Sequence, residues 1–196
     1  NGKKIAESAQ NKIEINPQQS RTETQLLPIT NPHLWSLEDP YLYKVYAVIK
    51  SGSRIIDTQK IRFGIRTIKI DVAQGLFLNG KHVKLQGVNC HQDHAGVGSA
   101  MPDRLQYYRV ALLKEMGVNS YRASHNAPTP ELLDACDSLG LLVIDEQRLL
   151  NSSPEYMDQF ERLIKRDRNH PSVFLWSIGN EEQGIQYNSF GKRIAQ

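Results

Sequence analysis

From Asp103 onwards the apolar positions move between two rhythms. Leu105, Tyr108, Leu112 and Met116 recur at helical spacing across Asp103–Met116, and Met157, Phe160, Leu163 and Ile164 do the same across Pro154–Arg168. Pro130–Leu139 reads as a third helix, closed by Gly140 as a carboxyl-terminal stop. Between these lie short extended runs, Val83–Val88, Val118–Arg122, Leu141–Asp145 and Val173–Ile178, too short for helices and suited to buried parallel strands. A fourth helix is expected from Ser189 onwards. Strand and helix therefore alternate four times, the grammar of parallel βα units. Four units fit half of an eight-stranded barrel or most of an open sheet. A dinucleotide-binding fold would place a Gly-rich loop after its first strand, and Val88-Asn89-Cys90-His91 stands there instead.

The first 70 residues follow a different pattern. Lys12–Asn16, Glu23–Leu27, Leu42–Lys50 and Arg54–Phe63 are rich in β-branched residues with partial alternation, punctuated at Asn16-Pro17, Asn31-Pro32, Asp39-Pro40 and Ser51-Gly52-Ser53. Such strands suggest a sandwich, but a complete one needs about seven. The expectation is a partial sandwich over residues 1–70 and βα units over residues 71–196. Arg66–Asp71 reads as an extended linker, and Gly75–Lys81 as a hairpin turning at Asn79-Gly80.

Composition narrows the partners. Hydrophobic residues make up 39% and charged residues 23% of 196 positions, with a net charge of +3 and no Lys/Arg block. A nucleic-acid or membrane-surface function is therefore not expected. The densest basic stretch, Arg162–Arg168, is interleaved with Leu163, Ile164 and Asp167 and fits the exposed face of a helix. No apolar stretch approaches the ~20 residues of a membrane span. No leader pattern opens the chain, and periplasmic or extracellular placement is expected only if the setting is bacterial polysaccharide degradation. Cys90 and Cys136 form neither a disulfide framework nor a zinc-type pair, so both read as structural thiols.

Chemistry gathers where the expected strands end. The four termini deliver Asn89, His91, Gln92, Asp93 and His94; Arg122, Ser124, His125 and Asn126; Asp145 and Glu146; and Asn180, Glu181 and Glu182. Reactive groups collect at the carboxyl ends of parallel strands, although polar residues after a strand can also simply cap the next helix. Two chemistries fit this rim. His91, Asp93, His94, His125 and Asp145 are metal-ligand types, though HQDH is looser than a His-x-His pair. Acetal hydrolysis instead needs a carboxylic acid at the leaving oxygen and a second carboxylate across the sugar ring, a role open to Glu181 with Asn180 on a hydroxyl.

GVNCHQDH (87–94), YRASHN (121–126), LVIDE (142–146) and above all KRDRNHPSVFLWSIGNEE (165–182) resemble glycoside hydrolase family 2. NPHLWSLEDPYLYKV (31–45) and RFGIRTIKI (62–70) are similar to that family's immunoglobulin-like domain and its entry to the barrel. The resemblance implies a partial immunoglobulin-like β-sandwich followed by the first four βα units of a (β/α)8 TIM barrel. Within the family it is strongest to the bacterial β-galactosidases, which implies retaining hydrolysis of terminal β-D-galactosides and a β-galactoside oligosaccharide as ligand. β-Glucuronidase, β-mannosidase and a non-catalytic carbohydrate-binding or scaffold protein are the alternatives.

On this resemblance Glu181 is the general acid/base and Asn180 binds the sugar 2-hydroxyl. His91 and His125 line the sugar subsite, Arg122 supports the catalytic carboxylates, and Asp145 and Glu146 match the acidic pair ending the third strand. Glu182 and Asp93 are weaker candidates. Some members hold a magnesium ion through a Glu and a His shortly after that acidic pair. Leu150 and Ser152 occupy those positions here, so neither metal nor cofactor is expected. The family's nucleophile is a second Glu at the end of the seventh barrel strand. The chain is thus expected to be a segment without that nucleophile, inactive alone, and to need a complementing chain, a homo-oligomer or a longer polypeptide.

Overall fold

A computed structural model describes residues 2–194. Two compact units result, one reaching to His33 and one beginning at Leu34. In the first unit the expected strands Lys12–Asn16 and Glu23–Leu27 do not form, and the described residues to His33 carry no regular element. β-Branched composition makes a segment fit a sheet, but without a neighbour to take its N–H and C=O groups it stays irregular. Ile5, Ile15 and Leu26 are accordingly left exposed.

The second unit opens with Trp35, fully buried, whose Nε1 donates to Asp137 O at 2.8 Å. An antiparallel hairpin follows, β1 (Tyr43–Ser51) with β2 (Arg54–Phe63), bulged between Ile49 and Lys50. The expected linker then contains a strand, β3 (Ile68–Asp71), which pairs with β4 (Gly75–Leu78), and β4 pairs with β5 (Lys81–Val83). Asn79 and Gly80 both adopt positive φ, 53° and 76°, as a tight hairpin turn requires. The Asn79 side chain also ties this turn to the chain entering the unit, accepting from Thr67 N and donating to Trp35 O, both at 2.9 Å.

Four parallel strands then lie side by side in sequence order: β6 (Gly87–Cys90), β7 (Ser120–Ala123), β8 (Leu142–Glu146) and β9 (Val173–Ser177). Their crossovers carry α1 (Asp103–Glu115), α2 (Pro130–Leu139) and α3 (Pro154–Asp167), followed by the short α4 (Gln183–Gln186) and α5 (Ser189–Ile194). An order without any reversal is that of a barrel wall, whereas a doubly wound sheet reverses at its switch point. The strand expected at Val83–Val88 begins later because Asn119 takes the place of a strand partner: its Nδ2 donates to Lys84 O, and its Oδ1 accepts from Gln86 N.

Two apolar clusters hold this unit. Val110, Tyr121, Ala123, Leu132, Leu133, Cys136, Val143 and Val173 pack between strands and helices. Trp35, Leu37, Leu76, Leu78 and Leu142 form the second, and because Leu142 opens β8 this cluster lies at the amino end of the sheet.

Candidate active site

Alternation along a strand sends neighbouring side chains to opposite faces, and at Asp145-Glu146 it separates two acids. Glu146 turns to the face shared with Arg122 and Ser177, is fully buried, and is surrounded by donors. Arg122 reaches its Oε2 with Nε at 2.8 Å and Nη2 at 2.6 Å, Ser177 Oγ donates to the same oxygen at 3.0 Å, and His125 Nδ1 meets Oε1 at 2.8 Å. Strands β7, β8 and β9 thus converge on one carboxylate, whose burial is tolerable only because it is paired and hydrogen-bonded.

The donors carry this order outward. Arg122 Nη2 also donates to Asn180 Oδ1 at 2.9 Å, which fixes the amide so that its N–H groups point away from the guanidinium. His125, held through Nδ1 by Glu146, meets His91 edge-on, ring centroids 5.3 Å apart. Arg109 Nη2 donates to His91 O at 2.9 Å, and Gln92 Nε2 donates to Asn126 O and Ala127 O at 2.6 and 2.9 Å. The loops after β6 and β7 are thereby joined.

Glu181 follows Asn180 on the turn leaving β9. It is exposed, and its carboxylate makes no hydrogen bond or ion pair among the described residues. The turn itself is rigidly held: Asn180 N donates to Glu182 Oε2 at 2.7 Å, Gln183 N donates to Glu181 O at 2.9 Å, and Arg148 lies 3.8 Å from Glu182 Oε1. A side chain at Gly179 would come within 2.7 Å of Leu150 Cβ and 2.8 Å of Glu182 Oε2, so only glycine lets the turn pass.

Of the residues expected at the rim, Asn180, Arg122, His125, His91 and Glu146 therefore form one connected group, with Glu181 at its edge. Asp145 does not join them. It faces Asp167 and Arg166 in the strand–helix layer and is fully buried, because alternation gives it the opposite face from Glu146. Asp93 is exposed, and His94 turns back into its own loop, with Nδ1 3.0 Å from Ala95 O. Ser177 and Arg148 were not anticipated. Ser177 lies two residues after Leu175 in β9 and pairs with Glu146, a register that only the folded sheet supplies.

The magnesium positions of the resembling family do not fit an ion here. Leu150 is apolar, buried and close against Gly179, and Ser152 offers a hydroxyl where an imidazole would stand. Among the described residues one trio of metal-type donors comes together, Asp134, Asp137 and His170. Asp137 is already engaged by His170 Nδ1 at 2.7 Å and Ser172 N at 3.0 Å, at the amino ends of the strands.

The sequence matches two family models: "Glycosyl hydrolases family 2" over residues 1–66, and "Glycosyl hydrolases family 2, TIM barrel domain" over residues 68–153 and 150–195. The chain belongs to glycosyl hydrolase family 2. A β-galactosidase of Bacteroides ovatus, BoGH2A, is 41% identical over 170 residues, covering 81% of this chain and 20% of that protein. Among solved structures, a family 2 member from Bacteroides cellulosilyticus superposes with a TM-score of 0.79 at 37% identity, covering 85% of this chain and 23% of that one. The β-glucuronidase of Parabacteroides merdae gives 0.72 at 35%, covering 81% and 21%. This chain spans about a fifth of the length of the curated family 2 relatives it matches.

Proposed function

We propose that this chain carries the acid/base half of a retaining family 2 glycosidase that releases terminal β-D-galactose. The observation that carries the reading is the Asn180-Glu181 turn. Arg122 anchors the Asn180 amide, leaving its N–H groups for a sugar hydroxyl, and the adjacent Glu181 carboxylate is free for proton transfer. In such a mechanism Glu181 protonates the glycosidic oxygen and later removes a proton from the attacking water, while a second carboxylate attacks the anomeric carbon. Glu146 acts indirectly, by fixing Arg122 and His125. His91 and His125 border the sugar, and residues 71–196 form the first half of the catalytic barrel, with residues 1–70 part of an immunoglobulin-like domain. The nucleophile comes from strands beyond β9, in the same polypeptide or in a complementing chain.

The 41% identity to BoGH2A favours a galactoside. The likeness to the Parabacteroides merdae β-glucuronidase keeps a glucuronide as the second reading. The test is a polypeptide that contains this chain and the remaining barrel strands, assayed on nitrophenyl β-galactoside, β-glucuronide and β-mannoside with and without EDTA. The galactoside is expected to turn over best, indifferently to EDTA, while the 196-residue chain alone shows none. Glu181→Gln is expected to lower kcat/KM by about 10²–10⁴-fold on poor leaving groups and far less on nitrophenolate. An equal loss on all leaving groups, or none, would sink the acid/base assignment. Sugar binding without turnover in the longer protein would favour a binding module.

A further inference from the structure

On the helix-facing side of β8 the carboxyl group of Asp145 meets that of Asp167 at the end of α3, and both residues are fully buried. Arg166 grips Asp167 with two bonds, Nε to Oδ1 at 2.7 Å and Nη2 to Oδ2 at 2.6 Å, and Nη2 also serves Pro128 O at 2.7 Å. The arginine is therefore committed to one member of the pair. Neither oxygen of Asp145 receives a well-formed hydrogen bond. Two ionised carboxylates offer only acceptors, so this contact has no donor unless one group keeps its proton. With that proton the contact becomes an O–H···O⁻ hydrogen bond, a strong class of bond in a site shielded from solvent.

We propose that Asp145 and Asp167 share one proton, and that the pair is a pH-sensitive latch fastening the carboxyl end of β8 to α3. The surroundings agree with this. Burial and the charge of Asp167 push Asp145 up to about 8, which the Arg166 charge and the Glu146 amide only partly offset. From α2, Glu131 adds negative charge around Arg166, and Cys136 has its thiol pushed well up by burial and so stays neutral. From β7, Tyr121 shares this face and is likewise held neutral by burial, while Trp176 of β9 pairs opposite Asp145 and does not titrate. Glu146 is on the other face. The latch thus lies directly behind the carboxylate that organises the rim, and its existence does not depend on which sugar the rim accepts.

An acid whose folded pKa is raised binds a proton that the unfolded chain has already released. The latch therefore contributes stability that is complete below about 3.8, declines as pH rises, and is lost above about 8. Within that window one extra native proton raises the unfolding constant by up to about tenfold per pH unit. Asp145→Asn retains the shape and gives Asp167 a permanent amide donor, so its urea-unfolding constant is expected to lose this slope relative to the wild type. Other titrating groups, His170 among them, are common to both proteins and cancel in the difference. In the wild type, infrared spectroscopy of the folded protein is expected to show one protonated carboxyl band at neutral pH that fades with a midpoint near 8 and is missing in Asp145→Asn. Parallel pH slopes in the two proteins would overturn the latch. So would the absence of that band in the wild type, a measurement that does not need the variant to fold.

Discussion

Glu146 shows how one buried charge can set the geometry of several exposed groups. Its two oxygens accept from Arg122, Ser177 and His125, so the rotamers of the guanidinium and the imidazole are fixed from beneath, and Arg122 passes that order on to Asn180. The exposed end of the site is therefore built on a fully desolvated base. Removing the guanidinium while keeping its bulk tests this dependence. Arg122→Met is expected to destabilise the protein by about 3–5 kcal/mol, because it leaves an ionised carboxylate buried with weaker partners. Urea unfolding at neutral pH measures the loss. A cost below about 1 kcal/mol would mean that solvent reaches Glu146, a result at odds with its complete burial.

At the scale of elements, the helices fall where the sequence places them, but α1 buries Gln106 and Val110 while Tyr108, Leu112 and Met116 of its expected apolar stripe stay exposed, and the connections depend on single side chains. Pro130–Leu139 ends at Gly140, which adopts φ 74° and passes so close to Leu37 O that a Cβ would clash with it. Lys114 Nζ secures the same corner, donating to Leu37 O at 2.7 Å and Gly140 O at 2.8 Å. Gly140→Ala meets both a left-handed backbone and a collision, and is expected to cost at least about 2 kcal/mol in a thermal or urea melt. A neutral result would show that the Leu37 segment can move aside. The contrast explains what the sequence made legible. Periodicity located α1 and α3 and marked the buried face of α3 through Phe160 and Leu163, and turn chemistry marked Asn79-Gly80 and Gly140. The start of β6 depended on Asn119, 33 residues from the Gln86 amide it satisfies, which no local pattern records. Alternation predicts that Asp145 and Glu146 part, but not which one meets Arg122; that choice belongs to the register of β7 and β8. Lys12–Asn16 and Glu23–Leu27 had strand composition without a partner strand.

At the scale of the whole molecule, the four-stranded sheet has two unpaired edges among the described residues. β6 and β9 each pair on one side only, and the face carrying Arg122 and Glu146 continues below them into Ile144 and Leu175, the latter 40% exposed. The β1–β2 hairpin adds Tyr46, Val48, Ile49, Ile55 and Ile56, all exposed. Unpaired strand edges beside apolar surface are templates for association. A second copy of the chain presents the same unpaired edges and the same face. The purified chain is therefore expected to associate reversibly in sedimentation velocity, its mean mass rising over the micromolar range. Leu175→Lys places a charge on that face along the β9 edge and is expected to shift the chain towards monomer, whereas a charge at Ile55 on the hairpin leaves any face-to-face dimer intact. Supplying the remaining barrel strands in trans is expected to displace the second copy. If Leu175→Lys associates as strongly as the parent while the hairpin variant becomes monomeric, the hairpin and not the barrel face is the adhesive surface.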